Sequence, residues 1–181
     1  MDKVEQFASL AHERANNVSL LRKKAKEKNL DTVEMYILHA KQVFGKIEDK
    51  TEIKGITEEW RRQTVLFCTL ADFAFCAAHC HLLGETDPKI LADTITDLYR
   101  RKNADYGDSF ARSLDKYGIV AALVRISDKV NRLESLIAPG RKAQVKDESV
   151  QDTLLDLASY AIMASMWVTE PIDKELEKTE Q

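Results

Sequence analysis

The feature that most constrains this chain is how long its helical apolar pattern runs without interruption. From Thr64 to Leu83 almost every position is apolar or small on every side of a helical wheel, which predicts a central, buried helix. Punctuation is sparse: only six glycines and three prolines occur in 181 residues, too few for the many turns of a β fold.

The same recurrence divides the rest. Val4, Phe7, Ala11, Val18, Leu21 and Ala25 predict a first helix over 3–29. Within it RKKAKEK (22–28) reads as a solvated face, since Glu27 interrupts it and no aromatic is interleaved. Asp31 with Glu34 forms a capping-box pattern for a second helix ending near Phe44. Residues 45–56 read as the longest loop, and Thr57 as the cap of the third helix, which Gly84 ends.

Asp87-Pro88 opens a fourth helix, to about Arg101. KNADYGD (102–108) breaks the pattern, a short helix spans Ser109 to Tyr117, and Gly118 marks a joint. A strongly amphipathic helix covers 119–137, stopped by Ala138-Pro139-Gly140; a basic linker fills 141–146. Asp147 caps a last helix over 148–169, with Pro171 past its end and a charged tail from Asp173 that should fray. The expectation is an all-α bundle of about six to seven helices. An N-terminal helical region (1–100) packs on a core at 101–170, a charged tail covers 171–181, and the whole forms one compact domain.

A formal net charge of −3 lacks the basic footprint of a duplex nucleic-acid binder, yet leaves room for a small anion held by local cations. The N-terminus has no apolar signal region, no uncharged stretch is long enough to span a membrane, and three cysteines make no disulfide framework. A cytoplasmic location is expected.

Two helices carry the candidate chemistry. On 119–137, Ile119, Leu123, Ile126, Val130, Leu133 and Ile137 share one face, and Arg125, Asp128 and Arg132 the opposite one. On 148–169, Glu148, Asp152 and Asp156 line a face that continues through Ser159, Met163 and Met166, with Tyr160 and Trp167 beside it. That apolar continuation predicts that Asp152 and Asp156 look into a cleft. Inward carboxylates need a cation: either a divalent metal such as Mg²⁺ or Mn²⁺, or a buried ion-pair network with Arg125 and Arg132. Asn103, Asp105 and Asp108 around Gly107 read by themselves as a turn, beside a Tyr106 that either stacks on a base or packs. Cys68, Cys76, His79, Cys80 and His81 all fall on one apolar helix without a second ligand pair, so small buried cysteines explain them better than zinc.

Three ordered strings, Lys102-Asn103-Ala104-Asp105-Tyr106-Gly107, then Arg125 to Leu133 (RISDKVNRL), then Asp147-Glu148-Ser149 with Asp152 to Tyr160 (DTLLDLASY), resemble the first type of nucleotide-modification-associated domain, a family of phages and bacteria. That family is similar to the MazG-like all-α nucleotide pyrophosphohydrolases. The resemblance implies a MazG-like four-helix core in the C-terminal half and metal-dependent hydrolysis of (d)NTPs or modified nucleotides. Glu148, Asp152 and Asp156 would be catalytic and, with Asp128, would hold Mg²⁺ or Mn²⁺. Lys102, Arg125, Lys129 and Arg132 would bind phosphate, and Asn103, Asp105 and Tyr106 the nucleoside. It also implies a homodimer or higher homo-oligomer, in the host cytoplasm if phage-encoded. The sequence departs from the wider group's E-x-x-E and E-x-x-D pairs, offering R-x-x-D at Arg125 and Asp128 and acids four apart later. A nucleotide-binding protein without hydrolysis is therefore the alternative, and a helical interaction protein without a ligand is a third.

Overall fold

The computed structural model describes residues 2–50, 58–82, 86–138 and 149–179, without side-chain detail at 50, 58–61 and 171–179. The expectations placed on Thr57, Gly84, Pro139, Gly140, 141–146, Asp147 and Glu148 lie outside the described residues. Seven helices and no strand occur among those described: α1 (Lys3–Glu27), α2 (Val33–Lys50), α3 (Glu58–His81), α4 (Pro88–Tyr106), α5 (Ser109–Tyr117), α6 (Val120–Ile137) and α7 (Val150–Thr179).

Helix α3 is central, as its all-round apolarity requires. It packs most extensively on α7 and α2, and also on α1 and α4. Phe67, Leu70 and Phe75 are fully buried there; each contributes about 1.5–3 kcal/mol by leaving water. Residues Arg62–His81 have the length and apolarity to cross a membrane by composition (mean hydropathy 1.3), but half of that window is buried inside this fold. Helix α1 lies mainly along α4, where Phe7 stacks on Tyr99 at 4.3 Å between ring centroids. Helix α6 rests on α7 and α2, and α5 bridges α6 and α7. The core thus draws on both halves of the chain.

Several boundaries differ from expectation. Helix α2 continues past Phe44 through Gly45, because Ile47 carries its apolar stripe into the core at 0% exposure. The cap of α2 is Thr32, whose hydroxyl accepts from Met35 N at 3.2 Å, and not Asp31. Asp31 turns instead to Arg22, which leaves the expected solvated basic face to become buried. Helix α4 runs five residues beyond Arg101, to Tyr106. The break falls only at Gly107 and Asp108, which adopt left-handed backbone at φ 54° and 51°. Helix α7 passes through Pro171 to Thr179 and does not stop short of it, so the tail is helical where fraying was expected. The expected ends of α5 and the joint at Gly118 (φ 68°) are observed.

The N-terminal helices are locked by a buried polar cluster. Arg22 Nε and Nη2 donate to the two oxygens of Asp31, each at 2.8 Å, and Tyr36 Oη donates to Asp31 Oδ1 at 2.7 Å. Arg22 Nη1 lies 2.7 Å from His79 Nδ1, so that nitrogen accepts and Nε2–H donates to the Thr86 carbonyl at 2.6 Å. The Arg22 guanidinium holds the Asp31 carboxyl below its ordinary range, while burial pushes the Tyr36 hydroxyl up.

Candidate functional cleft

Because α4 keeps its helix to Tyr106, Lys102, Asn103 and Tyr106 fall on its last turn instead of scattering over a loop. The paired left-handed residues Gly107 and Asp108 then reverse the chain into α5. Arg112 fastens the reversal: Nη2 donates to the Tyr106 carbonyl at 3.0 Å and Nη1 to the Gly107 carbonyl. Across from this corner, α7 presents Asp156, Ser159, Tyr160 and Met163. A cleft of about 260 Å³ lies between them.

Two carboxylates line this cleft, Asp108, which pairs with Lys3 at 2.8 Å, and Asp156. Lys129 Nζ from α6 reaches Asp156 Oδ2 at 2.8 Å, and Lys102 Nζ from α4 its Oδ1 at 3.8 Å. Two ammonium groups around one carboxylate leave an excess positive charge. Asn103 Oδ1 is buried in the cleft wall with no hydrogen-bond partner. A buried acceptor left unpaired costs about 1–3 kcal/mol, so this wall favours an incoming donor. Phe110 and Tyr160 meet at 5.2 Å in a tilted pair, and Tyr106, 64% exposed, stands at the mouth. Burial raises the Tyr99 hydroxyl to about 12, so it stays protonated.

Of the residues singled out from sequence, Lys102, Asn103, Tyr106, Asp108, Asp156, Ser159, Tyr160 and Met163 line this cleft, and Lys129 joins through Asp156. The others are elsewhere. Asp105 and Asp128 are exposed, and Arg132 is half-buried. Arg125 is exposed and lines a neighbouring groove beside Val120 and Val124, which shares Ser109, Phe110 and Tyr160 with the cleft. Asp152 does not look into the cleft. It is exposed and forms a reciprocal cap with Ser149: its Oδ2 accepts from Ser149 N (3.1 Å) and Oγ (2.7 Å), while its own N–H donates to Ser149 Oγ (3.1 Å). Position in the first turn explains its charge through the helix dipole and cap. In place of the alternative ion-pair network with Arg125 and Arg132, Asp156 pairs with lysines. Among the described residues, no group of three His, Cys, Asp or Glu side chains converges on a common point. On α3, Cys76 is fully buried and burial pushes its thiol up, as a small core side chain.

Sequence reasoning did not assign Tyr99, Phe110 or Lys3 to the site. Tyr99 and Phe110 obey the apolar periodicity of their helices and so read as core. Lys3 reaches Asp108 at 2.8 Å across 105 residues of sequence, which no local signal announces.

No curated protein and no solved structure matches this chain. The cleft-building segment does have a relative at family level. Residues 102–168, from the last turn of α4 into α7, match the family model described as nucleotide modification associated domain 1.

Proposed function

We propose that the α4–α5–α7 cleft binds a nucleotide. The observation that carries this reading is the convergence of Lys102 and Lys129 on Asp156, beside the buried, unpartnered Asn103 Oδ1. A phosphate group competes with Asp156 for the two ammonium groups and meets a net positive locality. Asn103 Oδ1 accepts from a sugar hydroxyl or a base N–H, which relieves its unpaired state. The match over residues 102–168 supports a nucleotide as the ligand.

Hydrolysis is the second reading, supported by the resemblance to a nucleotide-modification-associated family that is in turn similar to MazG-like pyrophosphohydrolases, and by Asp156, an inward carboxylate one turn beyond Asp152. A divalent-metal cage does not fit the described residues: Asp128 and Asp152 are exposed, and Asp152 serves its helix cap. Mg²⁺ is therefore a variable of the experiment. Titrating common NTPs and dNTPs calorimetrically, with and without Mg²⁺, should show binding in both conditions. Lys102→Ala and Lys129→Ala should each weaken it by about 1 kcal/mol or more, the scale of a charge-assisted contact. No binding by any nucleotide defeats the proposal. Monophosphate appearing only with Mg²⁺, and lost in Asp156→Asn, moves the assignment to the hydrolase. Self-association is proposed on the exposed apolar run Tyr117, Val120 and Val124, and light scattering reads it directly.

A further inference from the structure

The charge around the cleft is close to balanced, and that limits what it can hold. Among the described residues, its charged side chains and their direct partners are three ammonium groups, Lys3, Lys102 and Lys129, and two carboxylates, Asp108 and Asp156. Two of the ammonium groups are matched: Lys3 lies 2.8 Å from Asp108, and Lys129 lies 2.8 Å from Asp156. Lys102 makes the longer contact, 3.8 Å to Asp156 Oδ1, and is the cation in excess. Arg112 binds the Tyr106 and Gly107 carbonyls and does not line the cavity. The space is also small. At about 260 Å³ it lies below the roughly 300–1,000 Å³ of sites for drug-sized ligands.

The remaining polar lining offers little to a chain of phosphates. Asn103 Oδ1 is an acceptor, and Ser159 Oγ already donates to the Leu155 carbonyl at 2.8 Å. An adjoining cavity of about 250 Å³, which shares Tyr99, Asp108, Phe110 and Met163 with the cleft, adds among its lining residues only Lys3 as a cation, and Asp108 holds that. Arg125 lines the groove on another side, which meets the cleft at Ser109 and at the packed rings of Phe110 and Tyr160. A monophosphate carries about −1.5 to −2 charges at pH 7. It takes Lys102 and shares Lys129 with Asp156. Each further phosphate brings negative charge toward Asp108 and Asp156 with no new ammonium to meet it. Granting the nucleotide-binding reading above, on which this rests, we infer that the cleft selects a nucleoside monophosphate over the di- and triphosphate of the same base. Asp156 sets the limit: its carboxylate tolerates one phosphate between the lysines and repels a polyphosphate.

The test uses the full chain with a chelator present, so that no divalent ion neutralises the phosphates. Calorimetry measures each common deoxynucleoside as the bare nucleoside, monophosphate, diphosphate and triphosphate. For any base that binds, the monophosphate should bind about tenfold or more tighter than the nucleoside, the scale of a charge-assisted contact, and the longer phosphates should add nothing. Asp156→Asn removes one negative charge at nearly constant shape. It should raise triphosphate affinity relative to monophosphate by about threefold or more. Lys102→Gln, at an exposed position, should lower mono-, di- and triphosphate alike to the affinity of the nucleoside, and decides the matter if Asp156→Asn melts early. A triphosphate about threefold or more tighter than its monophosphate in the unaltered chain overturns the selection and leaves the nucleotide reading standing. Loss of that extra affinity in Arg125→Ala would then assign the terminal phosphates to the Arg125 groove. A relative affinity that Asp156→Asn leaves unchanged, or a monophosphate no tighter than its nucleoside, also overturns it. Failure of every probe to bind overturns both readings.

Discussion

Replacing Asp31 with alanine should damage this fold more than any other change to a polar side chain in its N-terminal half. The Asp31 carboxylate accepts two bonds from Arg22 and one from Tyr36, and the ion-paired side chains are only 10% and 11% exposed. Alanine leaves the guanidinium buried beside His79 Nδ1 with no counter-charge. Breaking a buried pair from one side costs about 3–5 kcal/mol. For a chain of this size that lowers the melting temperature by roughly 6–20 °C, at about 2–4 °C per kcal/mol. Removing both partners with Arg22→Met and Asp31→Leu should cost clearly less than the sum of Arg22→Met alone and Asp31→Leu alone, because no orphan charge remains. Urea denaturation followed by circular dichroism at 222 nm measures the cycle. Arg22 holds the folded carboxyl below its ordinary 3.8, so this stabilisation is fully present above pH 3.8 and is lost as pH falls through the lower folded value. The Asp31→Asn deficit should therefore be largest above that pH and shrink in stronger acid. Strict additivity of the single substitutions, or a deficit unchanged by acid, refutes the reasoning.

Asp72 should act with the opposite sign. Burial raises its carboxyl to about 6, against long contacts from Arg14 (3.5 Å) and Asn17 (3.3 Å), so its contribution falls as pH rises from 3.8 through 6. Asp72→Asn should flatten that slope in a pH series of melting curves. Asp152→Ala should cost about 0.5–2 kcal/mol as a lost cap and leave nucleotide affinity nearly unchanged, which separates helix capping from ligand binding at this residue. Gly107→Ala should destabilise the α4–α5 corner by about 1 kcal/mol or more, since φ is 54° and the added Cβ meets Arg112 Nη1 at 3.3 Å; hydrogen exchange across 103–112 would show it. Ile126→Ala, at 0% exposure in α6, should cost about 2–5 kcal/mol by equilibrium denaturation.

The helices were legible because a helix is announced by its own residues. The stripe Ile126, Val130, Leu133 in α6, the Asp87-Pro88 start of α4 and the glycines at 107 and 118 mark their elements through local sterics and periodicity. Local signals failed where packing outweighed them. Gly45 and the 102–106 segment are weak helix formers that stay helical because the neighbouring turns are anchored, by Ile47 on one side and by Tyr99 on the other. The four-residue spacing of Asp152 and Asp156 was visible, but not that one caps a helix while the other enters a cleft. A wheel places side chains around one axis and says nothing about which helix lies opposite. Only the docking of α4, α5 and α6 on α7 set Lys102 and Lys129 against Asp156, turned Arg125 outward, and brought Lys3 to Asp108. Charge spacing is fixed along the chain, whereas pairing depends on distances between segments far apart in sequence, and those the tertiary packing decides.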